Sequence, residues 1–253
     1  MVPTMSTSSV EQFRGRYRRN IERWYRPSLH VLAIYALGSV ALTYFISRMK
    51  PPITLAQWGV VPVVFLVSNI CEWAMHRYVM HRPRRNFIAR AIYTRHTLNH
   101  HEFFTAENYT IENMRDFRIV FFPPYTELAA MVLTIPGALV LGSVLGANAG
   151  WLTLCTTTAM YMVYEAFHFS CHIEDNWFVR NCPFINTIRR HHAAHHDQRK
   201  MTMNLNLTFP IADWLFGTSD LDRGCLGTLF NGYSTKYVKP TVQSKQSLSS
   251  QRA

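Results

Sequence analysis

Twelve histidines stand in this chain of 253 residues, and eleven of them fall in four tight groups. They read His76-x4-His81, His96-x3-His100-His101, His168-x3-His172 and His191-His192-x2-His195-His196. Neutral imidazole is the commonest protein ligand for transition metals. Eleven imidazoles buried without partners would carry a large desolvation cost. Residues three or four apart share one face of an α-helix. His96 with His100, His168 with His172, and His192 with His195 or His196 can therefore each aim two imidazoles at one point. His76 and His81 are five apart, about 140° around a helix of 3.6 residues per turn. They serve different metals, or the helix is distorted between them. His191 gives the last group a second register, His191-x3-His195-His196. His30 stands alone and reads as an ordinary polar residue.

Tetrahedral zinc takes four ligands, and a mononuclear iron oxygenase takes two histidines and a carboxylate. Ten or eleven histidines exceed either demand, so the count predicts two metals. Ligand type leaves the element open among Fe, Zn, Cu and Ni. Seven acids near the groups in sequence, Glu72, Glu102, Glu107, Glu165, Glu174, Asp175 and Asp197, are candidates to orient imidazole N–H groups. Glu72 and Glu165 stand out. Each lies inside an apolar block, where an acid normally needs a functional partner, and each shortly precedes a histidine.

The elements that carry these groups are apolar. Hydrophobic residues make up 48% of the chain and charged residues 16%, against about 25% charged in a soluble domain. The apolar residues gather in four blocks, at about 28–47, 56–75, 119–145 and 151–169. About 20 such residues cross a hydrocarbon core. The first block begins too far along the chain for an ordinary signal peptide. Pro123, Pro124 and Pro136 predict kinks in the third. Before the first block, Val10, Phe13, Tyr17, Ile21 and Trp24 recur at helical spacing among Arg14, Arg16, Arg18, Arg19, Arg23 and Arg26. That pattern predicts a basic amphipathic helix lying on a membrane surface. The expected organisation is a tail and interfacial helix over 1–27, a membrane-bound domain over 28–233, and a disordered tail over 234–253.

Lys and Arg number 26 against 15 acids, and their placement gives the excess a meaning. Six precede the first block, eight lie in 77–118 and ten follow His172, while Arg48 and Lys50 are the two on the opposite side. The positive-inside rule then places the termini and all four histidine groups in the cytoplasm. Trp58 and Trp151 fall at the outer boundary, Trp24 and Trp73 near the inner one. The expected fold is all-α: a polytopic membrane helical bundle of about four spans with a cytoplasmic histidine-rich helical cap. No nucleic-acid motif is present. The five cysteines form no CxxC pair, which argues against a disulfide framework or a cysteine metal site.

The four groups resemble the histidine boxes of the fatty acid hydroxylase and sterol desaturase superfamily of membrane-bound di-iron oxygenases. His76/His81, His96/His100/His101, His168/His172 and His192/His195/His196 match them in order. The segment 204–218, NLNLTFPIADWLFGT, resembles the family's closing stretch, with Asp213-Trp214 and Gly217-Thr218. The second box is one residue longer than the commoner HxxHH, and His191 is additional. The resemblance covers roughly 72–220. It implies a ligand set of His76, His81, His96, His100, His101, His168, His172, His192, His195 and His196. His191, Glu72, Glu165 and Asp197 are left as groups that orient the ligands or as alternative ligands. It implies two Fe, replaceable by Zn in purified protein, with O2 as cosubstrate. The implied reaction is hydroxylation of an unactivated C–H bond in a fatty acyl chain or sterol-like lipid. Loss of a second hydrogen would instead make the enzyme a desaturase. The expected setting is the bacterial inner membrane or the ER membrane.

The sequence has no GxGxxG fingerprint and no CxxCH haem site. Electrons are therefore expected from a separate donor of reductase, ferredoxin or cytochrome b5 type. A docking face is expected near Arg82, Arg84, Arg85, Arg189 and Arg190. Two rivals fare worse. An intramembrane zinc hydrolase needs HExxH, and His101-Glu102 has no histidine three residues on. A metal transporter holds its site near the bilayer midplane, whereas these groups follow the ends of the blocks.

Overall fold

A computed structural model of the chain describes residues 7–240 and 242. Seven helices carry the architecture: α1 (Thr7–Asn20), α2 (Pro27–Ser47), α3 (Leu55–Met80), α4 (Phe87–Tyr93), α5 (Pro124–Leu145), α6 (Ala147–His172) and α7 (Ile185–His195). The all-α expectation holds: among the described residues there is no strand, and Leu221 and Val238 form an isolated antiparallel bridge. Pro27 and Pro124 each open a helix, where the missing N–H leaves no bond unmade and the fixed φ suits the first turn. Two of the three prolines expected to kink the third block, Pro123 and Pro124, thus set where α5 begins. Pro136 lies inside it.

Three helical stretches are long and apolar enough to cross a membrane: Pro27–Ser47, Leu55–Met80 and Met114–Leu145. Most of their side chains face outward, and a backbone that pairs all its polar groups internally is what lipid requires. The fourth expected span coincides with α6. At 26 residues it is about 39 Å long at 1.5 Å per residue. Its composition falls short, because Thr153, Thr156, Thr157, Thr158, Tyr161, Glu165, His168 and His172 interrupt the apolar run.

By its contacts the chain forms two compact units, interleaved in sequence. One comprises Tyr17–Cys71 and Glu112–Phe169 and holds the apolar helices. Small residues let its helices approach closely. A Cβ on Gly150 would lie 2.7 Å from the Ala138 carbonyl oxygen. One on Gly38 would lie 2.5 Å from both Glu127 Oε1 and Met162 Sδ. The loop after α2 is fastened by Asn148, which exchanges two hydrogen bonds with the Lys50 backbone, and by Gln57, which donates to the Leu145 carbonyl at 2.9 Å. His30 is structural, as expected: it bridges the Tyr25 hydroxyl and the Phe122 carbonyl.

The other unit comprises Met1–Arg16, Glu72–Ile111 and Ser170–Ala253 and holds the histidine-rich helices. Here three expectations change. Arg14 does not face solvent or lipid headgroups. It is buried and clamps the 103–110 loop, donating to the carbonyls of Phe103, Asn108 and Thr110. Trp73 is not an interfacial anchor. It is buried, stacks on Phe216 at 4.3 Å and donates to the Thr218 hydroxyl. The expected C-terminal tail is ordered at its start, where Lys239 N donates to Asp220 O and Asp222 N to Tyr237 O. The rest of that tail, 241 and 243–253, lies outside the described residues, as does 1–6.

Candidate metal centre

Two turns of the histidine-bearing helices are wound more widely than an α-helix. α3 ends in a π turn, His76–Met80, and α4 runs on into a second, Thr94–His100. A π turn bonds residue i+5 to residue i, so residues five apart share a face. His81 N donates to His76 O at 3.2 Å, and His101 N donates to His96 O. This is the distortion that the spacing of His76 and His81 left open, and it brings both imidazoles to one point.

The imidazoles converge in two groups. His76, His81, His96, His101 and His195 offer ring nitrogens that all lie within 4.8 Å of one another, and so do His100, His172, His192 and His196. The pairing differs from the helical expectation. His96 shares its point with His101, because the turn is π, and His100 is left to the other group. On α7, His192 works with His196, four residues on, while His195 projects to the first group. The rings of His101 and His196 stack at 4.3 Å and link the two. His191 belongs to neither, and its Nδ1 donates to the Thr187 carbonyl. His168, one helical turn before His172, is also in neither group.

Backbone carbonyls fix which nitrogen faces inward. His76 Nδ1 meets Leu205 O at 2.5 Å, His195 Nδ1 meets Met203 O at 2.8 Å, His172 Nδ1 meets Tyr109 O at 2.7 Å and His196 Nδ1 meets Phe104 O at 2.6 Å. A carbonyl can only accept, so each Nδ1 carries the proton and each Nε2 presents a lone pair. Each of those four Nε2 atoms points at the Nε2 of a further histidine, 2.9 Å for His76–His96, 2.9 Å for His195–His81, 2.9 Å for His172–His192 and 3.0 Å for His196–His192, and His101 Nε2 lies 3.2 Å from His96 Nε2. A proton on His192 could serve His172 or His196 but not both.

Extra protons do not resolve the conflict. Burial, then neighbouring imidazoles, holds His81 down to about 2 and keeps His96, His101 and His195 well below the ordinary histidine range. Burial holds His196 down to about 3. Converging neutral lone pairs repel unless a cation lies among them. Nitrogens about 2.1 Å from one ion sit about 3.0 Å apart at right angles and about 3.4 Å apart at the tetrahedral angle. The shortest separations, 2.9–3.2 Å, are of this order, so the residues present fit a metal in each group.

Among the described residues, no acid belongs to either imidazole group. Glu72 accepts from Leu207 N, from Thr208 N at 3.0 Å and from the Thr208 hydroxyl at 2.6 Å. It braces the segment whose Leu205 carbonyl orients His76. Asp213 braces the same segment, accepting from Leu205 N at 2.9 Å, Asn206 N at 2.7 Å and the Thr218 hydroxyl at 2.6 Å. In the sequence Asp213 was marked only by its place in the closing stretch 204–218. Asp197 caps the turn after α7 and pairs with Arg199 at 2.9 Å. Glu165 accepts from the Tyr161 hydroxyl and Phe122 N among the apolar helices. Arg189 and Arg190 do not form a docking face, because both are buried. Arg189 donates to the Ser170 and Ile173 carbonyls, and Arg190 makes a bidentate pair with Asp220 at 2.6 and 2.8 Å.

Comparison with known proteins follows the same lines. The family model described as fatty acid hydroxylase matches residues 61–218. The solved structure of full-length Scs7p, with only its hydroxylase domain visible, is similar in fold, with a TM-score of 0.51 at 18% identity over 77% of this chain and 67% of that one. No curated protein sequence matches.

Proposed function

The chain belongs to the fatty acid hydroxylase family, and from that premise we propose that it is an O2-dependent di-iron oxygenase hydroxylating an unactivated C–H bond of a lipid-like substrate. The observation that carries this reading is the pair of converging imidazole groups, each a set of lone pairs that only a cation reconciles. Two groups support two metals, and the family assignment is what favours iron.

The residues that would hold the metals are His76, His81, His96, His101 and His195 in one group and His100, His172, His192 and His196 in the other. His168 keeps the place in the set that the family implies. When bound, the irons supply activation of dioxygen and the oxidising power needed to break a C–H bond. The chain does the rest. Carbonyls of Leu205, Met203, Tyr109 and Phe104 hold the Nδ1 protons of His76, His195, His172 and His196, so those four ligand nitrogens are preset and basic. Burial of the imidazoles excludes water from the centre. The apolar helices offer an alkyl chain a solvent of its own kind. A fatty acyl or sterol-like substrate fits that setting, and electrons come from a separate reductase, ferredoxin or cytochrome b5-type donor. The positive-inside bias supports a cytoplasmic metal face in a bacterial inner membrane or ER membrane.

Metal content per chain tests this reading first, measured by elemental analysis of folded, detergent-purified protein made with added iron. About two irons per chain is expected. The same preparation, given a reductant, 18O2 and fatty acyl or sterol lipids, should yield a product carrying one labelled oxygen. An alkene without label would assign the desaturase variant of the chemistry. One metal or none would sink the dinuclear reading.

A further inference from the structure

We propose that the recess beside α4 binds the phosphate of an anionic membrane lipid. Pro83, Arg84, Arg85, Arg90, Tyr93, Thr94 and Leu98 line a hollow of about 390 Å³, a volume within the range of small-ligand sites. Three of the lining residues are arginines, Arg84, Arg85 and Arg90. No acidic residue occurs between Glu72 and Glu102, a stretch with six arginines. Among the described residues, none of Arg82, Arg84, Arg85 and Arg90 forms an ion pair. Arg84 is already oriented, since its Nε donates to the Tyr78 carbonyl at 3.0 Å and leaves its terminal nitrogens to act. Arginine forks match phosphate oxygens bidentately.

Two further observations choose a lipid over an acidic protein. The recess begins at Pro83, three residues past Met80, where the span Leu55–Met80 ends, and headgroups flank the hydrocarbon core where a span ends. Phe87 and Ile88 stand beside the arginines, 84% and 67% exposed. Large apolar side chains next to a basic cluster are the pattern of an interfacial lipid contact, with chains on the apolar residues and the phosphate on the arginines. The proposal rests on the membrane placement of the chain and not on the reaction assigned to it.

Native mass spectrometry of the full-length, metal-loaded protein in detergent tests it, with phosphatidylglycerol, phosphatidylcholine or inorganic phosphate added. The wild type should retain one phosphatidylglycerol more tightly than phosphatidylcholine, and inorganic phosphate at the same concentration should not displace it. The R84Q/R85Q/R90Q variant should weaken phosphatidylglycerol retention at least about tenfold, and F87S/I88S should weaken both lipids. Unchanged metal content shows that each variant has folded, and the single change Arg85→Gln serves if the triple variant has not. Equal retention of phosphatidylglycerol by the wild type and the arginine variant overturns the proposal. So does unchanged lipid retention together with lost binding of a polyglutamate peptide, which would give the recess to an acidic partner. Full displacement by inorganic phosphate would overturn it in favour of a free-phosphate site.

Discussion

At the scale of residues, the two groups are distinct enough to be emptied separately. His195 belongs to the first group and His172 to the second. His195→Ala and His172→Ala should each lower bound metal from about two per chain towards about one and abolish turnover. His191 lies in neither group, so His191→Gln should keep both metals, as read by elemental analysis. A loss of metal in that variant would restore the alternative register of the last box. Acid should act on the metal-free protein in a stated direction. His196 is held down to about 3 in the folded chain against an ordinary 6.5. The unfolded state therefore takes up protons first as pH falls below 6.5, and stability drops with it. Thermal unfolding of metal-free protein should shift to lower temperature between pH 7 and pH 5. An unchanged midpoint would mean that the imidazoles are solvated without metal.

At the scale of elements, spacing marked the histidines in the sequence, and the structure gathers nine of them in pairings that the spacing did not give. Spacing rules assume 3.6 residues per turn, and two π turns replace that period where it decides the site. His96 therefore meets His101 rather than His100, a result no count of i+4 positions could give. Of the segment 203–208, residues 204–208 were visible as part of the closing motif, yet the work of the segment was not. It turns two carbonyls, Met203 and Leu205, onto His195 and His76, and two carboxylates hold it in place. Their substitutions should differ. In Glu72→Gln, the amide oxygen can still accept from Leu207 N and Thr208 N, and the amide nitrogen can donate to the Thr208 hydroxyl. Asp213→Asn instead turns an amide nitrogen towards a backbone N–H, because Leu205 N and Asn206 N approach different oxygens. Metal affinity should fall about 10–100-fold in Asp213→Asn and much less in Glu72→Gln, as followed by competition with a chelator. The reverse order would remove the carbonyl-bracing role.

At the scale of the whole molecule, composition foretold a helical membrane protein, and three stretches bear that out. The fourth block was harder to read, because α6 carries threonines, tyrosines, Glu165 and histidines that lower its hydropathy while leaving its length sufficient. The apolar helices pack through small residues that no periodicity flags. Gly38 is the clearest case: a side chain there would meet Glu127 and Met162. Gly38→Val should destabilise the bundle by about 1–3 kcal/mol, the usual cost of overpacking, seen as a lower midpoint of thermal unfolding in detergent. Gly137 sits on α5 with nothing within 4 Å of an added Cβ, so Gly137→Ala is the matched control and should leave the midpoint unchanged or raise it slightly. If both substitutions behave alike, close approach at Gly38 is not what holds these helices together. If they part as expected, the same close packing explains how a bundle with most of its span surface facing lipid keeps a fixed geometry without a large buried core.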